Sequence, residues 1–327
     1  MPQIELADIC KRFTVTERPE GRFAAVRSLV HRQRRTVHAL EGISFAIERG
    51  ELVGYIGPNG AGKSTTVKVM SGILTPEEGT CRILGRTPWR ERIEHVAHIG
   101  VVFGQRSQLW WDVPVSDSFE LLRDIYGIPQ ARYGERLREL TAALELAAML
   151  RVPVRQLSLG QRMRCEVAAA LLHSPEILFL DEPTIGLDAV SKLALRDFLL
   201  RENREHGVTM ILTTHDMDDV EALCNRVMTI GRGKLLFDGT LEALKGRYAP
   251  LHRVKATLER ETEPVELPGT ETQNMAGLRC SVLFDAARIP AHRVVAAMAE
   301  AYPLRDIVVE EQNIDEIIAA MYQEMAL

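Results

Sequence analysis

The segment Gly57–Ser64, "GPNGAGKS", constrains this fold most strongly, because it matches the pattern GxxxxGK[ST]. Its glycines let the backbone curl so that several N–H groups point at one anion, and a following helix adds its positive N-terminal end. The apolar run ELVGYI before it predicts a strand, and STTVKVM after it predicts a helix. This order of strand, glycine loop and helix predicts a phosphate-binding α/β core.

The loop predicts nucleotide binding with magnesium. We expect the Lys63 ammonium to contact the β- and γ-phosphates of ATP, and the Ser64 hydroxyl to bind the metal. The nucleotide contacts predicted from this part of the chain are Gly57, Pro58, Asn59, Gly60, Ala61, Gly62, Lys63, Ser64 and Thr65.

Two further apolar strands are predicted to end in catalytic side chains. The run ILFLDEPT carries Asp181 and Glu182 at its end, and MILTTHD carries His215. Ligands of α/β sheets bind at this carboxyl edge. We expect Asp181 to hold magnesium, Glu182 to orient or deprotonate a water in line with the γ-phosphate, and His215 to contact that phosphate. Such acids alone are more often a solvated strand end or a helix cap, but the glycine loop favours the catalytic interpretation.

Composition excludes several other classes of protein. The 327 residues favour about two domains, and 40 basic against 45 acidic residues give a net charge of −5, so no nucleic-acid partner is expected. No apolar run approaches the roughly 18 residues of a membrane helix, and the N-terminus does not resemble a signal peptide. Neither a zinc site nor a disulfide framework is expected, because the five cysteines contain no CxxC pair: Cys10, Cys81, Cys165, Cys224 and Cys280.

Alternating strands and helices predict one large α/β domain over residues 1–248. It contains a Pro- and Gly-containing insertion at 14–38 and a mostly helical stretch at 106–156. From residue 249 the composition changes to a polar segment followed by a strand, a helix, a strand and a helix. We therefore predict a small α+β domain at 249–327.

These motifs in this order resemble the ATPase subunit of ABC transporters, over about residues 3–245. The family's LSGGQ signature stands here as "LSLGQ", its D-loop as "GLDA" around Asp188, and its switch histidine as His215. The resemblance implies a P-loop NTPase of ABC type. Such a fold has a RecA-like parallel-sheet core, an antiparallel β subdomain and a helical subdomain, here at about 106–165.

In this family the signature motif binds the γ-phosphate of ATP held by a second subunit. The resemblance assigns this trans contact to Ser158, Gly160 and Gln161, at a helix N-terminus suited to an anion. One copy of each motif implies a homodimer or a paired homologous ATPase. Leu159 replaces a family glycine. A positive φ there would cost roughly 1 kcal/mol or more, and otherwise we expect its side chain to point away from the phosphate.

Two more assignments depend on the resemblance. Gln105 in VVFGQRSQLWWD would be the Q-loop glutamine, a magnesium ligand in the catalytic site, with Gln108 as the alternative. Phe13 would stack on adenine, and its alternative is a core position at a strand end.

The insertion at 14–38 has two interpretations that the sequence leaves open. It is a basic amphipathic helix facing an anionic membrane or a membrane partner, or a solvated surface hairpin. The helical interpretation depends on apolar Phe23, Val26, Leu29 and Val30 between basic Arg22, Arg27, Arg32, Arg34 and Arg35.

The leading prediction is an ATP-hydrolysing subunit of a membrane exporter, similar to those for drugs, lipids and polysaccharides. It would sit at the cytoplasmic face of the plasma membrane on integral membrane permease subunits, with Trp110 and Trp111 lining the permease groove or buried in the helical subdomain. The alternative is a soluble ABC-type ATPase acting on another macromolecule. A regulator without turnover is disfavoured by the intact catalytic residues.

Overall fold

The computed structural model describes residues 2–17, 33–104, 106–248, 251–265, 267–286, 288–310, 317–318 and 321–322. The chain divides into two compact units, Met1–Asp238 and Gly239–Leu327. The sequence places this boundary after residue 248, whereas the structure assigns the helix that ends at Tyr248 to the second unit.

The strands described in the first unit are β1 Ile4–Glu17, β2 Gln33–Ile47, β3 Leu52–Ile56, β4 Glu78–Ile83, β5 Ile99–Phe103, β6 Ile177–Asp181, β7 Thr209–Thr213, β8 Arg226–Gly231 and β9 Lys234–Thr240. One sheet has the order β5-β6-β7-β3-β8-β9. Its neighbours β5-β6, β6-β7, β7-β3 and β3-β8 pair in parallel. β3, β6 and β7 are short apolar runs with buried side chains, as expected for strands covered on both faces. Their carboxyl ends therefore share one edge of the sheet.

A second sheet, β2-β1-β4, is antiparallel. β1 and β2 pair as far as Glu17 with Gln33, so residues 14–17 and 33–38 extend a hairpin. The predicted basic helix is therefore wrong for its C-terminal part, since Arg34 and Arg35 belong to β2, opposite Thr16 and Val15. The rest of that predicted helix, including Arg22, Arg27 and Arg32, lies outside the described residues.

The helices described in the first unit are α1 Lys63–Met70, α2 Arg92–Val96, α3 Val115–Tyr126, α4 Gln130–Ala143, α5 Leu159–Leu171, α6 Ala189–His206 and α7 Met217–Leu223. α3 and α4 begin directly after Pro114 and Pro129, because the fixed φ of proline suits a helix start. α5 extends beyond residue 165, the predicted end of the helical subdomain. Its second half, CEVAAAL, is buried throughout, so packing stabilises the helix to Leu171.

The second unit contains α8 Leu241–Tyr248, β10 Leu251–Leu258, β11 Thr270–Ala276, β12 Arg279–Asp285, α9 Ala291–Ala301 and β13 Leu304–Glu310. Its antiparallel sheet has the order β11-β12-β10-β13. α9 buries Val294 and Met298 in a core with Val254, Val282 and Phe284. Neither β10 nor β11 was predicted as a strand, because the polar segment that contains most of β11 has the composition of a linker or irregular hairpin. Most of the last predicted helix lies outside the described residues.

Within the part of the chain that the structure describes, no helix is both long and apolar enough to span a bilayer.

Candidate active site

The glycine loop between β3 and α1 is packed tightly enough to require glycine. A Cβ at Gly57 would overlap the carbonyl oxygen of Ile230 on β8. Gly62 has a φ of 115°, and a Cβ there would lie 2.6 Å from the carbonyl oxygen of Ala39 on β2. The loop therefore takes its shape from contacts with both sheets as well as from its own sequence.

Lys63 folds back over this loop. Its Nζ donates to the carbonyl oxygens of Gly57, at 2.5 Å, and Pro58, at 3.0 Å. The side chain is buried, and burial lowers the pKa of Lys63 while the nearby Glu182 and Asp181 carboxylates act in the opposite direction. The ammonium is thus held at the loop, where a phosphate oxygen can become a stronger partner than a neutral carbonyl.

The two predicted acids lie across from the loop and differ in surroundings. Asp181 ends β6 and accepts hydrogen bonds from the hydroxyls of Ser64, at 3.4 Å, and Thr213. Hydroxyl and carboxylate oxygens are hard ligands of the kind that Mg²⁺ prefers. The Ser64 hydroxyl and the Asp181 carboxylate lie close enough to bind one ion together. The site therefore fits the predicted metal.

Glu182 adopts a φ of 55° directly after the strand, and its N–H donates to the carbonyl of Thr213 on β7 at 2.8 Å. Its Oε1 lies 3.1 Å from Nδ1 of His215. Because a carboxylate can only accept, this contact places the proton on Nδ1 and leaves Nε2 available as an acceptor or, when protonated, a donor. The pair joins two residues that are 33 positions apart in the sequence.

The glycine loop and the two acids surround one cleft of about 410 Å³, whereas His215 is not part of the lining and is connected to it through Glu182. The cleft is lined by Ala39, Asn59, Gly60, Gly62, Lys63, Ser64, Thr65, Lys68, Phe103, Gly104, Arg106, Asp181 and Glu182. The structure therefore brings most of the predicted loop residues together with both acids, while Ala61 is buried beneath the loop.

Five residues that line this cleft were not predicted from the sequence, nor was Thr213, which donates to Asp181: the five are Ala39, Lys68, Phe103, Gly104 and Arg106. Lys68 follows Ser64 by four residues, which places both on one face of α1. Arg106 is next to the predicted Gln105. Thr213 pairs with Asp181 across neighbouring parallel strands, so register could have identified it.

Gln105 lies outside the described residues, so its assignment stays a prediction. Its alternative, Gln108, is held elsewhere. The Gln108 amide nitrogen donates to the main-chain carbonyl of Glu166 at 3.0 Å, and its backbone N–H donates to the Glu166 carboxylate at 3.1 Å. Gln108 is thus anchored on α5 and does not line the cleft.

The signature residues form a closed hydrogen-bonded cap at the start of α5. The Ser158 hydroxyl accepts from the N–H of Gln161 at 3.2 Å, and the Gln161 side chain accepts from the N–H of Ser158 at 3.0 Å. A Cβ at Gly160 would lie 3.0 Å from the Leu187 side chain. None of these three residues lines the cleft.

Leu159 does not have a positive φ, so the strain considered for this position is absent. It is the first residue of α5, 39% exposed, and its side chain lies against Gly186. Asp188, two residues after Gly186, caps α6. Its carboxylate accepts hydrogen bonds from the N–H and the hydroxyl of Ser191, and these bonds lower the pKa of Asp188.

The predicted aromatic contacts have different surroundings. Phe13 lies on β1, half-buried, with the Lys11 ammonium 5.6 Å from its ring, and it is not part of the cleft lining. The stacking of Phe13 on adenine stays a prediction.

Trp110 and Trp111 are 41% and 51% exposed, so the alternative that they are buried in the helical subdomain is wrong. The Arg162 guanidinium lies 5.5 Å from the Trp111 ring.

Comparison with known proteins gives the same family as the motifs. The ABC transporter family model matches residues 40–185. The chain is 36% identical to the probable multidrug ABC transporter ATP-binding protein YbhF of Escherichia coli over 68% of its own length, but spans only 38% of YbhF. It is 33% identical to Nod factor export ATP-binding protein I of Ralstonia nicotianae, covering 73% of this chain and 84% of that one.

A solved structure extends the comparison to the fold. The dimeric post-hydrolysis state of the ATP-binding cassette MJ0796, bound to ADP and Pi, aligns with a TM-score of 0.61 and 26% identity, over 73% of this chain and 98% of that one. Matching sequence, matching fold and a cleft built around a phosphate loop agree, and the chain therefore belongs to the ABC transporter ATP-binding proteins, a family of ATPases.

Proposed function

We propose that this chain binds ATP with magnesium in the cleft and hydrolyses its γ-phosphate. The observation that supports the proposal most strongly is that Glu182 lines the same cleft as Lys63 and Asp181 and lies 3.1 Å from the His215 ring. This arrangement supports the proposal that Glu182 as general base, His215 as hydrogen-bond donor, the Lys63 ammonium and the metal ligands would surround one triphosphate.

The chemistry follows from these positions. Glu182 accepts a proton from a water molecule as the water oxygen bonds to the γ-phosphorus, while the bond from that phosphorus to the β–γ bridging oxygen breaks and ADP leaves. Protonated at Nε2, His215 donates to a γ-phosphate oxygen, and Lys63 stabilises the developing negative charge. Ser64, Asp181 and Gln105 would hold magnesium, which neutralises charge on the phosphate oxygens when bound.

The active form is proposed to be a head-to-tail dimer. Ser158, Gly160 and Gln161 would close over the γ-phosphate held by a second subunit, with Asp188 at the same face. The dimeric cassette MJ0796 supports this assembly. Since the γ-phosphate would join both subunits, its cleavage and the release of phosphate would shift the equilibrium towards the open pair. A homodimer is the proposed form, and a paired homologous ATPase is the other outcome of the test below.

The protein is further proposed to power an exporter from the cytoplasmic face of the plasma membrane. Relatives named for multidrug transport, Nod factor export and daunorubicin resistance support this direction. Exposed Trp110 and Trp111 offer an apolar contact for an integral membrane permease subunit. Co-purification from native membranes tests this step: recovery of a permease supports it, and recovery only with a soluble macromolecular complex would favour the alternative function.

Glu182→Gln tests the enzymatic proposal. We expect turnover to fall at least about 100-fold, because the amide cannot accept the proton, while ATP-dependent dimerisation persists. Glu205→Gln, an exposed change on α6, is the matched control. Turnover is measured by phosphate release and assembly by light scattering. Wild-type turnover in Glu182→Gln would exclude Glu182 as the general base. If the chain assembles with ATP only in the presence of a homologous ATPase, the active form is a heterodimer and not a homodimer.

A further inference from the structure

Asp219 is a buried carboxylate outside the cleft that none of the proposed chemistry uses. It lies on α7, four residues after His215, and its exposed fraction is 0%. A fully buried carboxylate requires strong partners, because removal from water disfavours its charged form. Its partners connect it to the active site.

One Asp219 oxygen joins the two catalytic segments. Oδ2 accepts a hydrogen bond from the hydroxyl of Thr184 and lies 3.5 Å from the hydroxyl of Thr214. Thr184 follows Glu182 by two residues, and Thr214 directly precedes His215. The same oxygen therefore contacts the chain just after the proposed base and the chain just before the histidine.

The other oxygen is held from α6. The Arg196 Nε donates to Oδ1 of Asp219 at 2.6 Å, so the charge of the carboxylate is compensated. Both threonines are buried, and hydrogen bonds in such surroundings are strong and geometrically restrictive. The network thus fixes Asp219 from a rigid helix and leaves its second oxygen directed at the two catalytic segments.

We propose that Asp219 is a positioning residue for ATP hydrolysis, holding Glu182 and His215 in register through Thr184 and Thr214; this inference rests on the proposed ATPase function. The contact between Glu182 and His215 joins the ends of two different strands, each followed by a loop. A brace between those loops keeps the Glu182 carboxylate and the His215 ring at a fixed distance from each other. A displacement of about 1 Å in such a pair can reduce turnover about 100-fold.

The test compares two buried carboxylates that each pair with an arginine. Asp219→Asn removes the charge and weakens the brace. Glu202→Gln is the matched control: Glu202 is buried and bonded to Arg136 at 2.6 Å, with no described hydrogen bond or ion pair to Glu182 or His215. We expect kcat to fall about 10- to 100-fold in Asp219→Asn with KM for ATP within about twofold, and Glu202→Gln to keep kcat within about twofold at a temperature where both are folded.

Thr184→Val removes one arm of the brace and leaves the pair of Asp219 with Arg196 in place. We expect it to lower kcat about 3- to 10-fold, again with KM little changed. Because a partly unfolded fraction would also lower the apparent kcat at constant KM, turnover is expressed per folded, ATP-binding molecule.

A double mutant distinguishes positioning from simple destabilisation. Because Asp219 would act through Glu182, adding Asp219→Asn to Glu182→Gln should lower the residual turnover by less than about twofold. Full additivity, or equal kcat values for Asp219→Asn and Glu202→Gln, would overturn the inference while leaving the ATPase proposal intact. Wild-type turnover in Glu182→Gln alone would instead overturn the proposed function.

Discussion

The starts of α1 and α5 are both helix N-termini preceded by a glycine- or serine-containing loop, yet they are built in opposite ways. At α1 the loop is packed against β2 and β8, and the cleft in front of it carries Lys63 and two carboxylates. At α5 the side chains of Ser158 and Gln161 satisfy each other's backbone N–H groups. A helix N-terminus becomes a nucleotide site only where its surroundings add a cation, metal ligands and walls.

The same difference accounts for how one chain could carry two predicted anion-binding motifs without competition between them. The α1 site holds donors for a whole triphosphate, whereas the α5 cap has small neutral donors at an exposed position. We therefore expect the first to bind nucleotide in the monomer and the second to act only when another subunit presents a phosphate.

The strongest test of this contrast removes the Lys63 ammonium group. Lys63→Ala should weaken ATP binding by the monomer at least about 100-fold, because the phosphates lose a charged partner in a partly desolvated cleft. Titration with a fluorescent ATP analogue measures the affinity. Ser158→Ala in the same assay should change it less than twofold, and equal losses in both variants would contradict the division of tasks.

A Cβ should be tolerated very differently in the two loops. Gly57→Ala places a methyl group against the Ile230 carbonyl, so we expect a stability loss of about 1–3 kcal/mol together with lost ATP binding. Gly160→Ala meets the Leu187 side chain at 3.0 Å and the Gly186 carbonyl oxygen at 3.1 Å, so it should cost less stability than Gly57→Ala, while turnover falls. Urea unfolding measures both changes. The reverse order of stabilities would show that the α5 loop is the more tightly packed one.

The cap at α5 should contribute to stability apart from its proposed contact with ATP. Ser158→Ala removes one side of the capping box and should lower the free energy of unfolding by about 1 kcal/mol. Ser158→Asp, which retains a capping acceptor, should recover that stability but not turnover, because its charge repels a phosphate. Full turnover in Ser158→Asp would argue against a trans phosphate at this position.

The smallest expected effect concerns pH. Burial lowers the pKa of Lys63 from 10.5, and only the protonated form can pair with phosphate. ATP affinity should therefore be complete below the folded pKa of Lys63 and fall as pH rises through it, by up to about tenfold per pH unit above that pKa. Isothermal titration across alkaline pH measures this change. Lys63→Met should bind weakly with no such slope, and an unchanged slope would assign the titration to another group.

Much of the active site could be predicted from the sequence because its determinants are local. Gly57–Ser64 carries its own loop chemistry, and the apolar strands that end at Asp181 and His215 place both side chains at one sheet edge. Local patterns did not identify β10 and β11, and they left residues 14–38 open between a basic helix and a hairpin, whereas pairing with β1 makes Arg34 and Arg35 part of a strand.

The sequence by itself predicted the glycine loop, the two acids and the signature, because each depends on residues within a few positions of one another. Only the tertiary structure decided that Ile230 forces glycine at position 57, that Gln108 is held on α5, and that Asp219 contacts Thr184 and Thr214. Except for that of Asp219 with Thr214, these contacts join segments far apart in the chain. Their partners are selected by packing and strand register, which no local pattern encodes.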